Sequence, residues 1–142
     1  MRKILVVSAN RAESGLLAPI LYELKKRHDV KAEFCDLILD EPPNKHSIKH
    51  IIFRLQLFLS AFNPQIILIP TDRWEMVYVA AYTFHLGYVN CHFHAGDAGS
   101  GITDEMNRYA ISFLSHILLC NSEESRGNLL KIGFEPERIF VV

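Results

Sequence analysis

Cysteine is scarce in this chain of 142 residues: Cys35, Cys91 and Cys120 are odd in number and widely separated. Their apolar surroundings fit buried thiols in a reducing compartment better than a disulfide framework or a zinc site. Charge of one sign is also missing, with 15 Lys and Arg against 16 Asp and Glu. With no long basic run, the footprint of a nucleic-acid binder is absent. Long apolar runs are lacking too. The most apolar stretch, from His50 to Pro70, is interrupted by Arg54, Gln56, Asn63, Pro64 and Gln65 and cannot cross a bilayer as one helix. The run Ile4 to Val7, behind Arg2 and Lys3, is too short for the core of a signal peptide. The expectation is a cytoplasmic protein with neither membrane nor nucleic acid as partner. No internal repeat, low-complexity tract or GxGxxG is found.

What is present is a hydrophobic fraction of 49%, enough for a packed core and against intrinsic disorder. At this length residues 1–142 read as a single domain. Short apolar runs at Lys3–Ser8, Lys31–Leu37, Gln65–Pro70, Tyr88–His94, His116–Cys120 and Arg138–Val142 predict strands. Between them lie stripes of helical period: Leu16, Leu17, Ile20, Leu21 and Leu24; Ile51, Ile52, Leu55, Phe58, Leu59 and Phe62; Met76, Val79, Ala80 and Phe84. Strands alternating with helices predict an α/β fold, a doubly wound and mostly parallel Rossmann-like sheet. Continuously apolar strands agree, because parallel strands are buried on both faces. Asn121 with Glu124 predicts a helix start, Gly133 its stop and Pro136 the break before the last strand. Asp40 to Lys45 reads as a loop inside the domain.

In such a sheet, ligands bind beyond the carboxyl ends of the strands. Four loops there carry chemistry: Ser8 to Glu13, Thr71 to Glu75, His94 to Gly101, and Cys120 to Glu124. The first leads into a helix, so an anion placed there meets free N–H groups and the positive helix end, and Arg11 adds a bidentate clamp. A lone arginine after a strand equally suits the surface, and Glu13 suits a helix start. Asp72 either meets a ligand or caps the next helix, with Arg73 and Glu75 solvated. The glycines of the third loop permit close backbone approach. Behind them, Thr103 as cap, Asp104 and Glu105 against the helix dipole, and an Asp104–Arg108 pair at i,i+4 form a self-sufficient structural reading. His92 and His94 share a strand face with Asp97 close behind, but no third and fourth ligand follow at metal-site spacing. His116 reads as a hydrogen-bonded partner near a strand start.

Taken in order, four segments resemble the UDP-N-acetylglucosamine 2-epimerases, the hydrolysing kind above all. Asn10-Arg11-Ala12-Glu13 is similar to the family's Thr-Arg-Ala-Glu turn, and Thr71-Asp72-Arg73-Trp74-Glu75 to its Gly-Asp-Arg-aromatic-Glu. The third segment comprises His92-Phe93-His94-Ala95-Gly96-Asp97, Gly101, Asp104-Glu105, Arg108-Tyr109-Ala110-Ile111 and Ser115-His116. The fourth is the ending Gly133 to Val142. The resemblance implies the N-terminal half of a glycosyltransferase-B (GT-B) arrangement, a UDP-sugar as ligand and no cofactor or metal. It implies elimination of UDP to a glycal-like intermediate, then hydration to N-acetylmannosamine for sialic-acid-type sugars. By position it assigns catalysis to Asp72, Asp97, Glu105 and His94, and substrate binding to Arg11, Arg73, Arg108 and Asp104. Two departures stand out: His94 occupies a position where many members carry a catalytic Glu, and Asp97 replaces a longer Glu. Thr71 stands where the family has glycine, and the stretch between the second and third strands is shorter than usual.

Since the family's second domain supplies further contacts, the chain is expected to be inactive alone and to need a separate chain supplying that domain, or to pair as a homodimer. Two other readings stay open: a non-catalytic or decayed nucleotide-sugar-binding module, and half of a two-chain GT-B glycosyltransferase.

Overall fold

In the computed structural model, which describes residues 1–37, 42–99 and 101–142, all six predicted strands form within two residues of their expected bounds. The order is β1 (Arg2–Ser8), α1 (Arg11–Lys26), β2 (Val30–Asp36), α2 (Lys45–Phe62), β3 (Ile66–Pro70), α3 (Trp74–His85), β4 (Val89–Phe93), α4 (Ile102–Phe113), β5 (Ile117–Cys120), α5 (Glu123–Ile132) and β6 (Ile139–Val141). The strands form one parallel sheet in the order β2-β1-β3-β4-β5-β6. Of the expected loop from Asp40 to Lys45, residues 40 and 41 lie outside the described residues; Asn44 caps α2 and Lys45 opens it.

Topology decides where the helices go. Right-handed crossovers place a helix on the face set by the direction in which the chain moves across the sheet. The chain moves one way from β1 to β2 and the other way in every later step. Accordingly α1 lies alone on one face, where Leu17, Ile20, Leu21 and Leu24 pack on Val6, Leu68 and Cys91. The opposite face carries α2, α3 and α4: Ile51, Leu55, Leu59, Met76, Val79, Ala80 and Ile111 close over Leu5, Val7, Ile67 and Ile69. There α5 also sets Leu129 against Leu118, Cys120 and Ile139.

The predicted stripes hold at their centres and loosen at their ends, with Leu16 42% and Phe84 40% exposed. All three cysteines are buried and free, and burial pushes the thiols of Cys35 and Cys91 up to about 12 and that of Cys120 to about 11. Helix ends required three corrections. α4 starts at Ile102 after Gly101, whose φ of 101° is left-handed, so Thr103 lies inside the helix and does not cap it. α5 is capped by Ser122, whose hydroxyl accepts from the Ser125 amide, and not by Asn121 with Glu124. At α3 the cap position is Arg73, whose side chain makes no capping bond, so Asp72 is not a cap. Gly133 does stop α5 in the left-handed conformation, with φ 105°.

Candidate functional site

All strands being parallel, the loops after β1, β3, β4 and β5 emerge at one edge of the sheet. Arg108, buried on the inner side of α4, ties two of them together. Its Nη2 pairs with the Asp72 carboxylate after β3, and its Nη1 donates to the Asp97 carbonyl after β4 at 2.6 Å. The expected Asp104–Arg108 pair does not form among the described residues, because Arg108 turns inward, where a buried guanidinium needs a carboxylate. Its Nε is buried without a hydrogen-bond partner among the described residues.

The Asp97 carboxylate is the second node. Oδ1 accepts from Ser125 Oγ at 2.7 Å; Oδ2 accepts from Asn121 Nδ2 at 3.2 Å and lies 2.9 Å from His94 Nδ1. With Nδ1–H donating to Asp97, the lone pair of His94 rests on Nε2, which has no partner among the described residues.

The third node joins the first loop to the second. Asn10 caps α1, accepting from the Glu13 amide at 2.8 Å. Glu13 curls back, its Oε2 accepting from the Ala9 amide at 2.8 Å and its Oε1 from Thr71 Oγ1 at 2.5 Å. Burial raises the Glu13 pKa against these bonds. Thr71 and His94 leave the adjacent strands β3 and β4 with φ of 52° and 64°. Left-handed backbone in a non-glycine residue costs on the order of 1–3 kcal/mol and persists only where surroundings over-determine it. Thr71 is so held: its amide donates to Phe93, its hydroxyl to Glu13, and its carbonyl accepts from His92 Nε2 at 2.6 Å. Glycine meets the same φ without strain.

His92 itself is fully buried, with Nδ1 2.8 Å from Ser112 Oγ, and burial lowers its pKa to about 4. It is a neutral structural histidine that fixes Thr71. His116 accepts from the Asn90 amide through Nδ1 at 3.2 Å, as the sequence suggested.

Two hollows result. One, of about 470 Å³, is lined by Asn10, Ala12, Glu13, Leu16, Thr71, Asp72, Arg73 and Asp104. The other, of about 280 Å³, is lined by Asp97, Ala98, Asn121, Ser122, Glu124, Ser125 and Asn128. Arg108 bridges an aspartate of each. The structure therefore gathers Asp72, Asp97, His94 and Arg108, with Asp104 beside the first hollow. Glu105 sits behind them, accepting from the Gly99 amide at 3.1 Å and so bracing the glycine loop. Arg73 is held by bonds of 3.1 and 2.6 Å to Glu75, which is fully buried and not solvated as the position suggested. Arg11, at the exposed start of α1, lines neither hollow. Sequence reasoning missed Thr71–Glu13, Arg73–Glu75 and Ser125–Asp97 as links; a left-handed backbone and burial are not visible in a string of residue types. Among the described residues no group of His, Cys, Asp and Glu is arranged for a metal ion.

A sequence model of one family, described as UDP-N-acetylglucosamine 2-epimerase, matches residues 6–142. The chain belongs to that family. It is 29% identical to the UDP-N,N'-diacetylbacillosamine 2-epimerase (hydrolyzing) of Legionella pneumophila, over all of this chain and 46% of that protein. It is 25% identical to the UDP-N-acetylglucosamine 2-epimerase of Neisseria meningitidis, over all of this chain and 45% of that one. The crystal structure of the Neisseria meningitidis enzyme bound to UDP-GlcNAc superposes with a TM-score of 0.85 at 23% identity, covering 98% of this chain and 45% of that one. The Methanocaldococcus jannaschii enzyme gives 0.86 at 20% identity, over 99% and 45%. The chain thus spans about half the length of its relatives and has the fold of their N-terminal domain. The stretch matched in the Legionella protein runs to 173 positions, longer than this chain by about 30 residues, the size of a strand–helix–strand unit.

Proposed function

We propose that this family member forms the sugar-facing half of a hydrolysing UDP-N-acetylhexosamine 2-epimerase and supplies its proton-transfer groups. The observation that carries the reading is the Arg108 bridge, which sets Asp72 and the His94–Asp97 pair side by side at one rim of the sheet. The reaction needs a base to take the proton from C2 as the C1–O bond to UDP breaks, leaving a C1=C2 double bond. Water then adds at C1 while an acid returns a proton to the opposite face of C2, which releases free N-acetylmannosamine and UDP. Two proton carriers are required, one per face. Asp72, paired with Arg108, serves as one; His94, with its tautomer fixed by Asp97, serves as the other. Arg11, though it lines neither hollow, and the start of α1 are assigned to the departing diphosphate by their position in the family's motif, Asp104 and Arg73 border the first hollow, and Glu105 braces the glycine loop. The product class suits sialic-acid-type biosynthesis, and three buried free thiols suit the cytoplasm.

Turnover is expected only with the complementary half present. Incubating the chain with UDP-GlcNAc and the separately expressed second half of the Neisseria meningitidis relative should release free N-acetylmannosamine. Asp72→Asn and His94→Ala should each lower the rate by about 10²–10⁴-fold. A rate equal to that of the unsubstituted chain in either variant overturns the assignment.

A second reading has its own support: Asp97 already accepts three bonds, and His94 stands where many members have a carboxylate. In that reading the chain binds the nucleotide sugar without turnover. Calorimetry showing UDP-GlcNAc binding, with no product in any pairing, selects it.

A further inference from the structure

The two edges of the sheet are built differently. β6, at one edge, is three residues long and follows a 3-10 turn opened by Pro136, the kind of short, interrupted strand that blunts an edge. β2, at the other, pairs with β1 in continuous register from Val30 to Asp36, with neither a proline nor a bulge. Among the described residues no strand lies beyond it. Two hydrogen bonds fix which way its backbone points. The Leu37 amide donates to Ser8 at 2.7 Å and the Asp29 carbonyl accepts from Arg2 at 2.8 Å, so the odd-numbered residues turn their N–H and C=O groups toward β1. By the alternation of a parallel ladder, those of Val30, Ala32 and Phe34 point outward from the sheet.

An outward row of donors and acceptors can take another strand, and the sequence of β2 specifies which. We infer that the occupant is β2 of a second copy of this chain, antiparallel about a two-fold axis at Ala32, so that the two sheets join into one. In that register Lys31 of each copy faces Glu33 of the other, Val30 faces Phe34, and Ala32 faces itself. The hydrogen-bonding phase fits: the Ala32–Ala32 and Val30–Phe34 pairs have outward backbone groups on both strands, so each exchanges both of its bonds. The charges fit. Lys31–Glu33 falls at the pair without backbone bonds, where Cα atoms are about 4.5 Å apart and side chains stand closest. Both side chains are available at the surface, 55% and 42% exposed, and within one chain they meet only at 3.8 Å along the strand. Val30 and Phe34 are half-buried, Phe34 on the α1 side, and each gains an apolar neighbour from the other copy.

Charges on an edge strand ordinarily keep a second strand away. A cation and an anion placed symmetrically about Ala32 do the opposite, and they also select the register. Moving the axis to Lys31 or to Glu33 sets like charges face to face. Pairing β2 with β6 of another copy would be heterologous and leave an edge free on each, whereas the two-fold arrangement closes. This contact does not depend on the catalytic reading.

The test is a charge swap read by sedimentation equilibrium of the chain. The unsubstituted chain should dimerise at the concentrations used for NMR. Lys31→Glu and Glu33→Lys each place like charges opposite one another at both symmetric positions and should weaken the dimer about 10-fold or more. Mixed in equal amounts, the two variants regain complementary pairs at both positions, and a mixed dimer should form as tightly as the parent. A surface pair within one chain contributes little to folding, so the thermal midpoints of the variants should match the parent's. Amide exchange on the unsubstituted chain gives a reading that needs no substitution and decides if a variant unfolds. The Ala32 and Phe34 amides should exchange at least about 10-fold faster on dilution, while those of Glu33 and Cys35, bonded to β1, stay protected throughout. A monomer at every concentration overturns the proposal, as do single variants that associate like the parent or a mixture that stays monomeric. Association that leaves the Ala32 amide exchanging freely also overturns it, because the contact then lies elsewhere, and oligomers that keep growing with concentration do so by showing an open-ended contact.

Discussion

The closed and open faces of this sheet are built from the same strands, and residues that alternate along each strand face different fates. The closed face is finished at its centre: Leu5, Val7, Ile67, Ile69, Leu118 and Cys120 are fully buried, and Asn90 and His92 among them are hydrogen-bonded. The open face is apolar yet half in water. The difference teaches that chain direction, and not composition, decided which side is complete. It also places the candidate site, because the loops that carry it are anchored by the finished face: Arg108 comes from α4, Ser125 from α5, and Thr71 is held by His92.

The largest expected effect is at Gly96, where the β4 loop meets α5. A methyl group there would lie 2.2 Å from the Ser125 carbonyl oxygen and 2.9 Å from Leu129, at a φ of 78° that already disfavours a side chain. Gly96→Ala should cost at least about 4 kcal/mol and is expected to lower the midpoint of urea unfolding more than any substitution on the open face. Leu55→Ala comes next. Leu55 is fully buried among α2, α3 and the sheet, so a cavity of that kind costs about 2–5 kcal/mol, read from the same unfolding curves. An effect below about 1 kcal/mol would show that the closed face is not the tightly packed one.

How much of this was legible beforehand follows from what each feature depends on. Hydrophobic period and strand–helix alternation are local, and they carried the strands and stripes to the right places. Cap identities at Thr103 and Asn121 failed because several adjacent polar residues could serve, and tertiary packing chose Gly101 and Ser122. Asp72, His94 and Asp97 were legible as residues of loops that follow successive strands, whereas Arg11 and Glu105, expected beside them, line neither hollow. The wiring was not legible: Asp104 was the near neighbour of Arg108 in sequence, but Asp72 lay on the buried side. The open face could be anticipated from no residue pattern, since Leu119 and Leu118 look alike and only the crossover direction separates them.

A smaller effect tests the polar part of the closed face. Burial holds His92 neutral with a pKa near 4 against an ordinary 6.5. Since the unfolded chain takes up this proton more readily, stability is complete above pH 6.5 and falls as pH drops toward 4. The loss from this one group is about 3 kcal/mol, the shift converted at about 1.4 kcal/mol per unit. Proton NMR should show the His92 ring still neutral at pH 5.5, and urea midpoints should fall across that window. A ring that titrates near 6.5 would mean that the bonds to Thr71 and Ser112 do not confine it.

The smallest effect is the most informative about the two faces. Leu119 is half in water, so Leu119→Ala in the chain alone removes contacts that were never complete and should cost under about 1 kcal/mol, against the several expected at Leu55. If an apolar helix then seats on the open face, Leu119 becomes a core residue and the same substitution should rise into the range of about 2–5 kcal/mol. Measuring both substitutions with and without the complementary half turns the contrast into a single number, the change in the Leu119→Ala cost, with Leu55→Ala as an internal reference that stays fixed. A cost at Leu119 that is already large in the chain alone would mean that the open face is closed by something within these 142 residues, and the asymmetry between the faces would disappear.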